Sequence, residues 1–349
     1  MGHLVPDRFS SFDAGAVLPR RRFSVSLVRL LPLSIATAAG ILFAPGAAAG
    51  DVVWVASLLL LGMPHGGYDL AALRRGVAGR SRRVAIASVY VGLMAACAVG
   101  TLLSPMGAML CFLLLTAHHF GVSDAVVTRE RGPRGFGGHA VGLAHGLFVL
   151  GSVFAFDAAA AWAPFAEIAA WFGASEGAAA SLPVGVAGAA AIVAGVAACV
   201  VALGTCVAWR QGRVSSRDAA EQGVLLGLFG VLAASADPMF AIAAYFVCVH
   251  AAGHCRRALH PWATRHERGV ANAVRVHAES ALLVVLSLVI VALIAGFWAD
   301  YSVHGITLSF LAFCIIATLP HHLFWLAGSV GLGRRFGDRA AGGSSRSVA

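Results

Sequence analysis

About ten apolar stretches, each of roughly 18–25 residues, leave this chain few folds to choose from. Inside a bilayer every backbone N–H and C=O must be satisfied within the segment or a closed sheet, so stretches of this length read as spanning helices. Their approximate limits are 26–47, 52–73, 84–104, 107–127, 139–157, 182–208, 219–235, 239–258, 281–299 and 306–329. Charged residues make up 12 % of the 349, against roughly 25 % in a soluble domain. The expected fold class is all-α: a polytopic membrane helix bundle of about ten transmembrane helices. We expect an N-terminal arm over 1–25, one transmembrane bundle over 26–330 and a disordered tail over 331–349, where Gly and Ser dominate. The first apolar run lacks a small-residue cleavage site and reads as an anchor.

The charges sort the loops. All 25 basic residues are arginine. Apart from Arg8 and Arg29 they fall at Arg20–Arg22, Arg74 to Arg83, Arg129 to Arg134, Arg210 to Arg217, Arg256 to Arg275 and Arg334 to Arg346, on alternate connections. The intervening connections hold Asp51, Ser104-Pro105, Asp157 to Glu176, Asp237 and Asp300, and no arginine. By the positive-inside rule both termini are cytoplasmic in a multi-pass cell (inner) membrane protein, and even-numbered helices run from outside to inside. Arg29 falls at the cytoplasmic mouth of the first helix, where it can snorkel. The stretch 158–177 reads as an interfacial helix on the outer face or a loop. A net charge of +9 dispersed in this way, with no basic stripe, excludes a nucleic-acid partner. The seven cysteines lie mostly inside apolar runs without CxxC spacing, so they read as small packing residues.

Histidine stands out against this background, because a polar side chain in lipid is costly and usually functional. His250 and His254 share a helix face one turn apart. His65, His118-His119 and His321-His322 recur in other even-numbered helices. His65 lies nine residues before Arg74, His119 ten before Arg129 and His250 six before Arg256, which is roughly 9–15 Å from the basic edge at helical rise. Four helices running the same way thus deliver imidazoles to one slab. Histidines placed for packing alone would not share a depth, so a metal site is expected. Adjacent histidines point about 100° apart, so one of each pair should face that site. Asp69 and Asp124, close in sequence to His65 and His119, could accept the far ring N–H of a ligand histidine, or be solvated and pair with Arg74 and Arg129. Gly62, Gly66, Gly67 and Gly121 serve close packing or room for a substrate. Pro64 and Pro320 can reorient the turn before each histidine. His139 and His145 are not placed by context, and His3, His260, His266, His277 and His304 read as surface.

All-imidazole ligation suits Zn, Cu, Fe or Ni alike. HExxH is absent, since Ala251-Ala252-Gly253 separates His250 from His254, so zinc proteolysis is disfavoured. Tyr68, Phe120, Tyr245, Phe246, Phe324 and Trp325 gather around the histidines and could line a lipid-accessible tunnel.

Four segments in this order, PHGGYD (64–69), HFGVSD (119–124), YFVCVHAAGH (245–254) and LPHHL (319–323), resemble the Brp/Blh family of β-carotene 15,15′-dioxygenases. The resemblance covers about residues 50–330. It implies a membrane oxidoreductase holding non-haem Fe(2+) on four histidines, which fall here on His65, His119, His250 and His254. It further implies cleavage of the central 15,15′ double bond of β-carotene by O2 to two molecules of retinal, and a functional link to a microbial rhodopsin. Beside these ligands, Asp69, Asp124, Tyr68, Phe120, Tyr245, Phe246 and His321 are expected behind the ligands or along the tunnel. Ala251, where a small hydroxyl residue is common in the family, leaves the ligand set intact. The alternatives are a di-iron carotenoid or lipid hydroxylase or desaturase, and a non-enzymatic haem-binding or transport protein. The first needs about eight histidines in HxxxH and HxxHH boxes. Here HxxxH occurs once and HxxHH never.

Overall fold

A computed structural model describes residues 25–76, 79–128, 135–174, 182–259 and 270–329. The N-terminal arm, the tail after 330, and His3, His260 and His266 lie outside the described residues. The described residues form helices and no strand. In order these are α1 (Val25–Phe43); α2 (Ala47–Ser57), which runs through a π turn (Leu58–Gly62) into α3 (Met63–Gly76); α4 (Arg80–Leu103); α5 (Pro105–Asp124); α6 (Gly135–Phe156); and α7 (Ala158–Trp171). There follow α8 (Val186–Arg210); α9 (Ser216–Ser235); α10 (Pro238–Tyr245), which runs through a second π turn (Phe246–Ala251) into α11 (Ala252–Leu259); α12 (Val270–Trp298); and α13 (Val303–Ser329).

Each of the ten expected spans is a helix. Eight are long and apolar enough to cross a bilayer, which makes this a multi-pass membrane protein with an all-α fold. Among the described residues the first and seventh do not reach that length and apolarity. The apolar run Arg29–Phe43 is brief, and α9 opens with Arg217, Asp218 and Glu221. The segment after Asp157 is the helix α7, begun where the Asp157 carboxylate accepts the Ala160 N–H at 3.0 Å. Its Trp162, Phe165 and Ile168 are buried, so α7 packs onto α5, α6, α10 and α13 as a plug at one end of the bundle.

The central elements are α2–α3, α5, α6, α10–α11 and α13, with between 44 % and 67 % of their membrane stretch buried; α4, α8 and α12 bury little and form the periphery. One continuous core links Leu33, Trp54, Met109, Phe112, Phe229 and Phe310. The closest approach joins α5 to α6. A methyl group on Gly121 would overlap the Gly142 carbonyl, and one on Gly146 would overlap the Ala117 carbonyl. Arg29 departs from expectation. Its guanidinium does not reach outward: it is 2 % exposed and meets Asp124 at 3.5 Å.

Candidate metal centre

Both π turns sit where histidines must enter the core. Pro64 has no N–H for the Leu60 carbonyl four residues back, and the helix widens over Leu58–Gly62. The carbonyl left over is satisfied from another helix, by the His277 Nε2–H of α12 at 2.8 Å. His277 is thus exposed, as expected, yet bonded. The second π turn contains His250 and brings its ring to 5.3 Å from that of His254. The two turns touch, since a methyl group on Gly62 would lie 2.6 Å from the Phe246 ring.

The four expected ligands meet, and His321 joins them. One ring nitrogen each from His65, His119 and His250 lie within 4.8 Å of one another, and so do one each from His119, His254 and His321. All five are buried. The two adjacent pairs divide as expected. His119 and His321 enter the cluster. His118 and His322 lie behind it, in a chain from His119 Nδ1 to His322 Nδ1 (3.0 Å), from His322 Nε2 to His118 Nδ1 (2.9 Å) and from His118 Nε2 to His139 Nδ1 (3.1 Å).

Two carboxylates hold two of the rings from behind, each across helices. Asp69 Oδ2 accepts from His321 Nδ1 at 2.7 Å and from the Tyr90 hydroxyl at 3.4 Å. Asp124 Oδ2 accepts from His250 Nδ1 at 3.0 Å and from the Tyr245 hydroxyl at 3.1 Å. The polarity of the second set is fixed from a backbone amide onward. The Val126 N–H can only donate, and does so to Gln222 Oε1 at 2.9 Å. The Gln222 amino group therefore donates to His145 Nδ1 at 3.0 Å. His145 then carries its proton on Nε2 and donates to Tyr245 Oη at 2.9 Å. The Tyr245 hydroxyl in turn donates to Asp124, and the carboxylate also accepts from the His250 Nδ1–H. The His250 lone pair is left on Nε2, the tautomer a metal ligand needs.

Aromatic rings close the cluster against water. Phe120 lies 4.5 Å from His250, Phe246 5.5 Å from His65, and Trp325 5.9 Å from His119, between ring centres. Above the cluster opens an apolar cavity of about 580 Å³, lined by His65, His119, His250 and His321 at one end and by Pro164 and Phe165 of α7 at the other. Phe120, Phe246 and Gly66 line it, whereas Tyr68 and Tyr245 do not: Tyr245 lies behind the cluster, and Tyr68 is buried away from the cavity. Val91 of α4 and Leu286 of α12 line it too and are 63 % and 49 % exposed, so the cavity reaches the flank of the bundle.

The residues fit a metal ion. His65 Nδ1, His119 Nε2 and His321 Nε2 are buried without a hydrogen-bond partner among the described residues. Each such orphan costs about 1–3 kcal/mol, which coordination would recover. Sequence reasoning missed Gln222, His145, His322 and the inward role of Arg29. A signal was present for one: Gln222 stands beside Glu221 at the start of an apolar run, and a polar group there needs a buried partner.

An all-α, multi-pass bundle with buried imidazoles under an apolar cavity defines a membrane protein of the histidine-cluster kind. A family model described as β-carotene 15,15′-dioxygenase matches residues 56–326, and the chain belongs to that family. Neither a curated protein nor a solved structure matches it significantly.

Proposed function

We propose that the protein is a non-haem iron dioxygenase that takes β-carotene from the bilayer and cleaves its central 15,15′ double bond with O2, giving two all-trans-retinal. One observation carries this reading: His65, His119, His250 and His321, from four separate segments, end on an apolar cavity that reaches the bundle flank. His65, His119, His250 and His254 would hold Fe(II), which when bound supplies the redox chemistry that lets O2 react with the polyene.

The chain's own residues bind, orient and exclude water. The polyene is about as long as the bilayer core is thick, so its middle can meet the cluster only by entering the bundle, and the flank between α4 and α12 offers an apolar way in. Phe120 and Phe246 line the cavity and pack on His250 and His65, where they would press the central double bond toward the ligands. Cleavage by O2 puts one oxygen atom into each aldehyde and neither consumes nor releases a proton. The overall reaction thus calls for no net proton transfer, and among the described residues no carboxylate lines the cavity.

The test is expression in cells that accumulate β-carotene. Bleaching with retinal formation is expected, together with iron in the purified protein. Replacing any of His65, His119, His250 or His254 by Ala should abolish both cleavage and bound iron. Full activity with stoichiometric iron in two such variants would overturn the assignment. A Soret band would move the protein to the haem class, and a hydroxylated, uncleaved product to the hydroxylases.

A further inference from the structure

Five imidazoles meet where four would hold an ion, and their contacts have an order. His65 touches His250 (5.3 Å between ring centres), His250 touches His119 (4.8 Å), His119 touches His321 (4.9 Å) and His321 touches His65 (5.1 Å). That closes a circuit of four. The ring contacts found among the described residues follow its sides and not its diagonals, His65 to His119 and His250 to His321. His254 touches every member of the circuit, at 5.4, 5.7, 5.3 and 5.8 Å. Four rings in a circuit with a fifth in contact with all of them make a square pyramid with His254 at its apex. The cavity supports this independently, because all four circuit histidines line it and His254 does not. The open base of the pyramid is therefore the face that meets the cavity.

His321 is equipped as a ligand in the same way as its diagonal partner. Asp69 holds His321 Nδ1 as Asp124 holds His250 Nδ1. His321 Nε2 is buried with no hydrogen-bond partner among the described residues. Resting on the metal reading above, we propose that His321 is a fifth imidazole ligand, opposite His250, and that the single coordination position left, opposite His254, opens into the cavity. Metal–imidazole bonds near 2.0–2.1 Å place opposite donors about 4.2 Å apart. The nitrogens of each triple already lie within 4.8 Å, so each triple can close on an ion by small ring movements, and His119, common to both, links them.

The probe is Co(II) or Fe(II) titrated into the full-length protein, stripped of metal, in detergent. X-ray absorption of the loaded wild-type protein should count five imidazole neighbours. His321→Ala should reduce the count to four and weaken metal binding more than about 100-fold, whereas Asp69→Asn, which only orients the ring, should stay within about 10–100-fold. His321→Gln, closer in size and polarity, checks that the loss does not come from misfolding, and its thermal melting should match wild type. Four imidazoles in the wild type, or unchanged affinity in both His321 variants, would overturn the fifth ligand and leave the four-histidine site standing. Two ions per chain would overturn it in favour of two sites sharing His119. A wild-type protein that binds neither metal would overturn the metal reading itself.

Discussion

Asp69 and Asp124 occupy similar places in the sequence and in the cluster, yet their surroundings predict different losses. Asp124 is fully buried and is shared between His250, Tyr245 and the buried Arg29. Asp124→Asn would leave that guanidinium without its counter-charge, and breaking a buried pair costs about 3–5 kcal/mol. It would also lose the anion that fixes the His250 tautomer, worth about 10–100-fold in metal affinity. Asp69 is only partly buried, with His321 and Tyr90 as its described partners. Asp69→Asn should therefore lower metal affinity with little change in melting temperature. Denaturant melts of the metal-free variants beside metal titrations separate the two, and equal melting would show that the Arg29 pair contributes nothing. The convergence of His65, His119, His250 and His254 was legible because histidine is conspicuous in an apolar run and helical rise gives its depth. Which carboxylate serves which histidine was not. Nearness in sequence puts Asp69 beside His65 and Asp124 beside His119, while the fold gives them to His321 and His250 on other helices. Pairing of that kind depends on rotation and tilt, which hydropathy does not encode.

Among the elements, glycines divide by what lies opposite them. At Gly121 and Gly146 the obstacle is backbone on the facing helix, which cannot swing aside as a side chain can. Gly121→Ala should force α5 from α6 and destabilise the protein by about 3 kcal/mol or more, at the upper end of overpacking. Gly66 has nothing within 4 Å and borders the cavity. Gly66→Ala should fold and bind metal as the wild type does, and Gly66→Phe should keep the metal while lowering retinal formation by narrowing the cavity. Thermal melting with retinal assays checks both. A Gly121→Ala protein as stable as wild type would mean the helices can part without loss. The sequence left packing and substrate room as alternatives for Gly62, Gly66, Gly67 and Gly121. Gly62, Gly67 and Gly121 pack tightly, and Gly66 gives room. The ten helical stretches were plain from length and hydropathy, but the π turns were not. Pro64 hints at the first, and nothing in Phe246–Ala251 announces the second.

At the scale of the whole molecule, the two sets of loops separate. The arginine-free connections converge, since His304 of α13 bonds to Asp51 of α2 at 2.9 Å and to Glu167 of α7 at 3.1 Å, and the Asp237 N–H bonds to the Pro45 carbonyl at 3.0 Å. Burial raises the Asp237 carboxyl above the usual carboxylate range at this end. The histidine cluster lies toward the other end, beyond the cavity that α7 plugs. Which end meets the cytoplasm follows from charge alone. Arginine clusters are retained on the cytoplasmic side, so the cluster should lie in the cytoplasmic half of the bilayer. A reporter active only in the cytoplasm should work when fused after Arg80, Arg131, Arg213 or Arg265, and fail after Asp51, Asp157, Asp237 or Asp300. The reversed pattern would put the histidines in the outer half. Iron would then have to reach them from outside the cell, while substrate could still enter by the flank between α4 and α12. Alternation at only some fusions would mean that α1 or α9, which among the described residues do not reach spanning length and apolarity, does not cross. Both outcomes can be read without any measurement of activity, so orientation is tested apart from chemistry.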